Sequence, residues 1–364
     1  MCCCSVKACA VLATFIAIVL PNAFFYLAKD GVRTAGSIPF LTPKETWKVT
    51  YNDIPDQTGR IIIITGANVG LGLSSAKILS QKNAKIIMAC RSLSRCEKSA
   101  ASVKKVAAPL AEVSTMFLDL SSLKSVKDFA TKFLKENEKL HALMLNAGIM
   151  HTKYGLSSDG IEQQFAVNHV GHQYLVSLLL PVLERTSNDD GPTFIASVSS
   201  SASHRSYAEG IRLTKESIND ESAYNPYHAY GQTKLSNIFM AQELARQLDV
   251  RGSKGVFVNS VHPGVVKTAL ARQYPAFLTK YVLPYTLGPL LWDPDVAALS
   301  QVYLCTDDNN RTLVSGDVKG KFFVPIGRLS PGNPKHSDDL QMQKNLWKFT
   351  EELINEVMSE RKTV

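Results

Sequence analysis

IIIITGANVGLG, residues 61–72, is the stretch that decides the fold. Five β-branched residues, Ile61–Thr65, form a short apolar run, and Gly66, Gly70 and Gly72 follow it before an amphipathic stretch begins. Glycine is needed where a chain turns tightly and its backbone must approach a pyrophosphate, and the amides of a helix N-terminus attract that negative charge. A strand, a glycine-rich turn and a helix in this order predict a dinucleotide site, with a plain strand-to-helix turn as the alternative.

Short apolar runs and longer amphipathic stretches continue to alternate along the chain. We predict strands at Ile61–Thr65, Lys85–Ala89, Ser114–Leu118, Ala142–Leu145, Phe194–Val198, Val256–Val261 and Lys321–Val324. We predict helices at Leu71–Gln81, Ser94–Val106, Leu123–Glu136, Glu162–Leu183, His228–Leu248, Val296–Cys305 and Asp338–Met358. Continuously apolar strands separated by helices predict a doubly wound, parallel, seven-stranded α/β sheet of the Rossmann type. Because the alternation is unbroken, we predict one catalytic domain at 59–330 and a C-terminal helical extension at 331–364.

The composition is that of a folded globular protein. Hydrophobic residues make up 45% of the 364 residues and charged residues 20%, which excludes global disorder. The net charge of +8 is spread without dense basic runs, so no nucleic-acid partner is expected. The seven cysteines show no metal-ligand spacing, so we expect no metal site, reduced thiols and a catalytic body in the cytosol.

The N-terminus is typical of a membrane segment. No residue from Ala8 to Ala28 is charged, and a helix needs about 20 apolar residues to span a bilayer. Pro21 interrupts the stretch, and a cleaved signal peptide is the alternative. We expect residues 1–30 to anchor the protein to the endoplasmic reticulum or another intracellular membrane, with 31–58 as a linker. The cysteines before the apolar stretch are candidates for palmitoylation.

The end of the second predicted strand indicates which nicotinamide cofactor binds. An acidic residue there would bond the ribose 2′-hydroxyl of NAD, whereas an arginine accommodates the 2′-phosphate of NADP. The sequence has Arg91 and no carboxylate at this point, which favours NADP(H). Asp119 follows the third strand and would either meet the adenine edge or cap the next helix. The segment Asn146-Ala147-Gly148 follows the fourth strand, where small residues would face the ribose.

Tyr230 and Lys234 lie one helical turn apart and share a face. A phenol is a poor acid or base at pH 7 unless a cation stabilises its phenolate, and Lys234 supplies that cation. A serine after the fifth strand would polarise a substrate carbonyl. The strand phase favours Ser200, whereas alignment through His204 favours Ser201. Asn168 would hold a water that continues the proton relay.

These segments together resemble the short-chain dehydrogenase/reductase family over roughly 59–324. They are TGANVGLG, MACRS, NAGIM, FAVNHVGH, SVSSS, YGQTK and VHPGVVKT, in that order. The sequences of these segments are most similar to those of the retinol-dehydrogenase-like and WW-domain-oxidoreductase-like branch, but no WW domain precedes them here. The resemblance implies an enzyme acting on CH–OH donors, with the tyrosine as general acid/base. It also implies cofactor contacts from residues of the glycine turn and of the loop after the sixth strand: Gly66, Asn68, Gly70, Leu71, Gly72, Pro263, Gly264, Val266 and Thr268.

The stretch Tyr274–Trp292 is apolar with one charge, Lys280, and follows the loop expected at the nicotinamide. We interpret it as the cover of a site for a lipophilic retinoid, steroid or isoprenoid, with a core-covering helix or a homodimer contact as the alternative. A reductase of small xenobiotic carbonyls and a catalytically silent scaffold are the rival functions.

Overall fold

A computed structural model of the chain describes residues 48–266, 291–306 and 312–361. The predicted membrane segment, Thr268 and all but the last two residues of Tyr274–Trp292 lie outside these ranges. Within the three ranges, none of the helices combines the length and the apolar character that crossing a bilayer requires.

The sheet is built from strands with nearly the predicted bounds. They are β1 (Ile61–Thr65), β2 (Lys85–Cys90), β3 (Glu112–Phe117), β4 (Ala142–Leu145), β5 (Thr193–Val198), β6 (Val256–Val261), β7 (Phe322–Val324) and β8 (Arg328–Leu329). Their order is β3-β2-β1-β4-β5-β6-β7-β8, and β1 to β7 are parallel. The predicted parallel sheet is confirmed. The predicted strand number changes, because β8 pairs antiparallel with β7, and a two-residue strand is too short to show a pattern in the sequence.

The strand order reverses at β1, which pairs with β2 on one side and with β4 on the other. The helices that follow these two neighbours of β1 therefore leave towards different faces. A crevice opens at the carboxyl ends of β1 and β4, and this is where ligands bind in open α/β sheets.

The long helices of the described ranges lie within two residues of the predicted bounds, with one exception discussed below. They are α1 (Gly70–Ser80), α2 (Leu93–Lys104), α3 (Leu123–Glu136), α4 (Gly171–Asp190), α5 (Pro226–Val250), α6 (Pro294–Thr306) and α7 (Leu340–Glu360). Alternate residues of β1 face opposite helix layers, and Ile62 to Thr65 are fully buried. Ile62 and Ile64 join the core on the side of α1 and α6, whereas Ile63 joins the core beneath α3, α4 and α5.

The C-terminal helix α7 forms a further layer on the α4–α5 side of the molecule. Its apolar residues are buried in a cluster shared with α5: Leu346, Leu353, Ile354, Val357, Leu235 and Phe239. Polar contacts fasten it as well, since Lys215 pairs with Glu356 at 2.6 Å and Gln173 donates to the Trp347 carbonyl at 3.2 Å. The start of the described chain also packs on the fold, since Val49 and Ile54 are buried in the core on the side of α1 and α6.

Cys90 and Cys96 form a disulfide, which corrects the expectation of reduced thiols for these two residues. Cys90 ends β2 and Cys96 lies in the first turns of α2, so the intervening turn brings their Cα atoms to 6.2 Å. An odd, sparse set of cysteines does not exclude such a local pair. Cys305 is a buried free thiol.

Candidate active site

The turn between β1 and α1 leaves a bare backbone at the crevice. Gly66 and Gly70 have φ of +66° and +54°, a conformation that favours glycine. A Cβ on Gly72 would lie 2.6 Å from the Gly66 carbonyl oxygen and 2.5 Å from Asn146 Nδ2, so no side chain fits there. Asn68 anchors the turn, because its carbonyl accepts from the Ser99 hydroxyl at 2.8 Å. The bare turn and the free amides at the start of α1 form a cradle that fits a dinucleotide pyrophosphate.

The end of β4 is tied to the end of β1 beside this cradle. Asn146 Nδ2 donates to the Thr65 carbonyl at 2.9 Å, and the Ala147 amide donates to the Thr65 hydroxyl at 2.9 Å. A Cβ on Gly148 would lie 3.3 Å from Asn168 Oδ1 and 3.5 Å from Lys234 Nζ. The dinucleotide cradle and the predicted catalytic group therefore meet at Gly148.

The remaining predicted cofactor residues lie at the rim of the crevice. Leu71 is half-buried in the first turn of α1, and Arg91 is exposed directly after β2. Asp119 accepts from both the amide and the hydroxyl of Ser121, at 2.9 and 2.7 Å. These bonds hold the turn before α3, and the predicted cap role of Asp119 is wrong, because Ser122 caps that helix by accepting from the Ser125 amide.

The loop after β6 continues this rim. Pro263 is buried and Gly264, with φ of +95°, follows it. A Cβ on Gly264 would collide with the Trp292 ring. Val266 forms a parallel bridge with Trp292, so the described end of the apolar stretch returns to this loop.

Tyr230 and Lys234 are buried one turn apart on α5, with exposed fractions of 5% and 3%. Lys234 Nζ donates to the Val198 carbonyl at 2.8 Å and lies 5.6 Å from the centroid of the Tyr230 ring. Burial raises the pKa of Tyr230 to about 12, opposed by a side-chain hydrogen bond with Ser200. Burial lowers the pKa of Lys234 to about 8. Near neutral pH a buried ammonium therefore stands beside a buried phenol.

The two candidate serines occupy different positions. Ser200 is the serine in contact with the Tyr230 hydroxyl, and its Oγ accepts from the Ala202 amide at 3.1 Å. Ser201 begins the 3-10 helix Ser201–Arg205. The strand phase pointed to Ser200, and the geometry brings that residue to the tyrosine.

Asn168 lies in a π-helix, Ala166–Val170, which corrects the prediction of one regular helix over Glu162–Leu183. Its Oδ1 accepts from the Ile149 amide and its Nδ2 donates to the Ile149 carbonyl, both at 2.8 Å. Nδ2 also donates to Thr233 Oγ1 at 3.0 Å. π-Helical turns are frequent at functional sites, and this one, five residues long, is too short to be recognised from apolar periodicity.

His172 is a site residue that the sequence reasoning missed. Its Nδ1 lies 3.1 Å from the Asn168 carbonyl and its Nε2 lies 3.0 Å from Thr65 Oγ1. Burial lowers the pKa of His172 to about 4, so the ring is neutral. Because a carbonyl only accepts, Nδ1 carries the proton and Nε2 accepts from the Thr65 hydroxyl. His172 thus links the cradle at β1 to the π-helix, and its i+4 spacing from Asn168 was the available clue.

Comparison with known proteins identifies relatives of this chain. The family model described as short chain dehydrogenase matches residues 60–212. Human retinol dehydrogenase 13 is 34% identical over 300 residues, covering 81% of this chain and 85% of that protein. Chloroplastic short-chain dehydrogenase TIC 32 A of Brassica napus is 36% identical over 295 residues, covering 80% and 88%. The crystal structure of an uncharacterized Mycobacterium paratuberculosis protein matches with a TM-score of 0.63 at 30% identity, covering 84% and 97%.

The chain belongs to the short-chain dehydrogenase family. It is therefore an oxidoreductase that transfers a hydride between an alcohol or carbonyl compound and a nicotinamide cofactor. The cradle at β1 and α1 has the shape and the donors that such a cofactor requires.

Proposed function

We propose that the protein is an NADP(H)-dependent enzyme that interconverts a lipophilic carbonyl compound and its alcohol, with Tyr230 as general acid/base. The observation that carries the proposal is the buried Lys234 ammonium beside the buried Tyr230 phenol. Taking a charged amine out of water is costly, and such buried, perturbed groups cluster at catalytic sites.

In the direction of reduction, Ser200 and Tyr230 hold the substrate carbonyl by donating to its oxygen. A nicotinamide cofactor held in the cradle between β1 and α1 would supply the hydride that the carbonyl carbon takes up. Tyr230 donates its proton to the oxygen, which becomes the alcohol hydroxyl, and the Lys234 ammonium stabilises the phenolate left behind. Asn168 keeps the loop after β4 in place through its paired bonds to Ile149. Oxidation follows the reverse steps, with the phenolate as base.

The preference for NADP(H) is tested at Arg91. We expect Arg91→Asp to raise the KM for NADPH by about 10- to 100-fold, because a hydrogen bond to a charged group contributes about 1.5–3 kcal/mol. The KM for NADH should change by less than about threefold, since NADH has no 2′-phosphate to contact Arg91. Lys104→Asp is the matched control, because it makes the same charge change at the other end of α2. Equal effects on both cofactors would contradict the role of Arg91.

The charge of Lys234 is tested by Lys234→Met. Without the ammonium the Tyr230 phenolate is less stable, so the pKa of Tyr230 rises and the acid limb of the alcohol-oxidation profile moves to higher pH. The apo protein should nevertheless melt at a higher temperature, because a buried charge is replaced by a thioether and Asn237 Nδ2 still bonds the Val198 carbonyl. The gain in melting temperature is present in full below pH 8, because folded Lys234 is charged there. It diminishes as the pH approaches 10.5, the ordinary pKa of a lysine. If the acid limb of the alcohol-oxidation profile does not shift, the proposal that Lys234 stabilises the Tyr230 phenolate is contradicted.

The proposal of a lipophilic substrate is supported by the names of relatives, which include retinol dehydrogenases 13, 14 and 11, and by the apolar composition of residues 274–292. We propose membrane attachment through residues 1–30, which would place the site beside a source of such substrates. The test compares kcat/KM for retinal, a steroid ketone and an isoprenoid aldehyde in micelles with that for small carbonyls, using NADPH. Higher values for small carbonyls would favour a xenobiotic reductase, and no turnover of any compound would favour a scaffold.

A further inference from the structure

His151 has an uncommon backbone conformation directly beside the proposed acid/base. Its φ is +52°, a region that few residues other than glycine occupy. Such a conformation costs free energy and persists only where contacts with the surrounding structure stabilise it. The sequence gives no sign of it, since glycine does not stand at this position.

Buried hydrogen bonds hold the backbone around His151. Its amide donates to Gln164 Oε1 at 2.8 Å, and Gln164 is fully buried. Gln164 Nε2 in turn donates to the Tyr224 hydroxyl at 2.8 Å, and that hydroxyl donates to the Thr152 carbonyl at 2.9 Å. Together with the clamp of Asn168 on Ile149, these bonds fix the loop on both sides of His151.

The fixed loop places the His151 ring between a surface tyrosine and the buried one. Its centroid lies 5.5 Å from that of Tyr230, edge-on at 80°. It lies 4.2 Å from the centroid of Tyr227, tilted by 50°, and Tyr227 is 52% exposed. Three rings thus form a continuous aromatic series from solvent to the phenol.

The His151 ring is neutral at physiological pH. Burial lowers its pKa to about 4, and the positive charge of Arg205 acts in the same direction. An uncharged aromatic ring therefore lies beside Tyr230.

We propose that His151 and Tyr227 form a wall of the substrate cleft that selects carbonyl compounds conjugated to a flat unsaturated or aromatic group. A flat π system can pack against these rings, and aromatic packing contributes about 0.5–1.5 kcal/mol beyond area burial. A saturated group of the same length lacks this additional contribution. The inference rests on the proposed function of Tyr230.

The test compares trans-cinnamaldehyde with 3-cyclohexylpropanal, which share the carbon skeleton and differ in that the ring and chain are unsaturated in the first and saturated in the second. Both are titrated into the NADPH complex of Tyr230→Phe, in which the ring remains and proton donation is lost, and binding is followed by NADPH fluorescence. We expect cinnamaldehyde to bind about 2- to 12-fold more tightly. Adding His151→Ala should remove the preference, whereas His151→Phe should restore it.

His228→Ala is the control, because His228 contacts Tyr207 in the neighbouring loop and should leave the preference intact. Equal binding of the two aldehydes before any change at His151, or a preference that survives His151→Ala, would overturn the inference. Turnover of the same aldehydes by the wild-type enzyme is measured separately. If the preference depends on His151 but neither aldehyde is turned over, the result would support the aromatic wall and contradict the proposed catalysis by Tyr230.

Discussion

Replacing Tyr230 with phenylalanine is expected to lower kcat for carbonyl reduction by about 10²- to 10⁴-fold, the usual contribution of a positioned general acid. The substitution removes the proton that the carbonyl oxygen must receive and leaves the ring in its place. Because Tyr230 is buried by its neighbours on α5 and the adjoining loops, the phenylalanine ring should keep the same packing. The measurement is single-turnover oxidation of bound NADPH with a saturating aldehyde.

The matched control is Tyr51→Phe, which makes the same chemical change at an exposed residue that contacts Lys82 and is not part of the proposed site. It should retain kcat within about threefold, since surface substitutions rarely change free energies by more than about 0.5 kcal/mol. The dissociation constant of NADPH, measured by fluorescence, should be similar in both variants. A Tyr230→Phe enzyme with wild-type kcat would reject Tyr230 as the acid.

Truncating the buried leucines of α7 is expected to have the largest effect on stability. Leu346 and Leu353 are 1% and 3% exposed and pack in the cluster shared with α5. Each Leu→Ala change in such a position costs about 2–5 kcal/mol. Since small domains have only about 5–15 kcal/mol in total, the double variant should lose much of its free energy of unfolding. Denaturant titration followed by circular dichroism measures the loss.

Lys344→Ala is the control for α7, because Lys344 is exposed on the same helix and alanine preserves helix propensity. Its free energy of unfolding should stay within about 0.5 kcal/mol of wild type. If the double leucine variant matches this control, α7 is not part of the cooperative core.

The central strands were predictable because they are buried parallel strands and therefore continuous apolar runs. The bounds of β1, β4 and β6 agree with the sequence prediction residue for residue. The short strand β8 and the π-helix around Asn168 were missed for a different reason. Both elements are defined by their backbone hydrogen bonds, that is, by which carbonyl accepts from a given amide. The polarity of the side chains does not determine that pairing.

The candidate site was predictable where chemistry requires a particular residue type at a fixed spacing. Tyr230 and Lys234 share a helix face, and the glycines mark a turn that a Cβ would block. His151 and His172 could not be found in this way. Their environment comes from loops and helices that are distant in sequence, so their neutrality and their contacts appear only once the chain is folded.

The separation of α5 and α7 along the chain has a consequence for biosynthesis. The faces of α4 and α5 that α7 covers are complete at Val250, whereas α7 ends at Glu360, about 110 residues later. At about 5–20 residues per second, the ribosome leaves these apolar faces without their cover for roughly 5–20 seconds. The nascent chain therefore exposes these apolar faces during that interval, and the contact between His169 of the π-helix and Thr350 forms only after α7 has been synthesised.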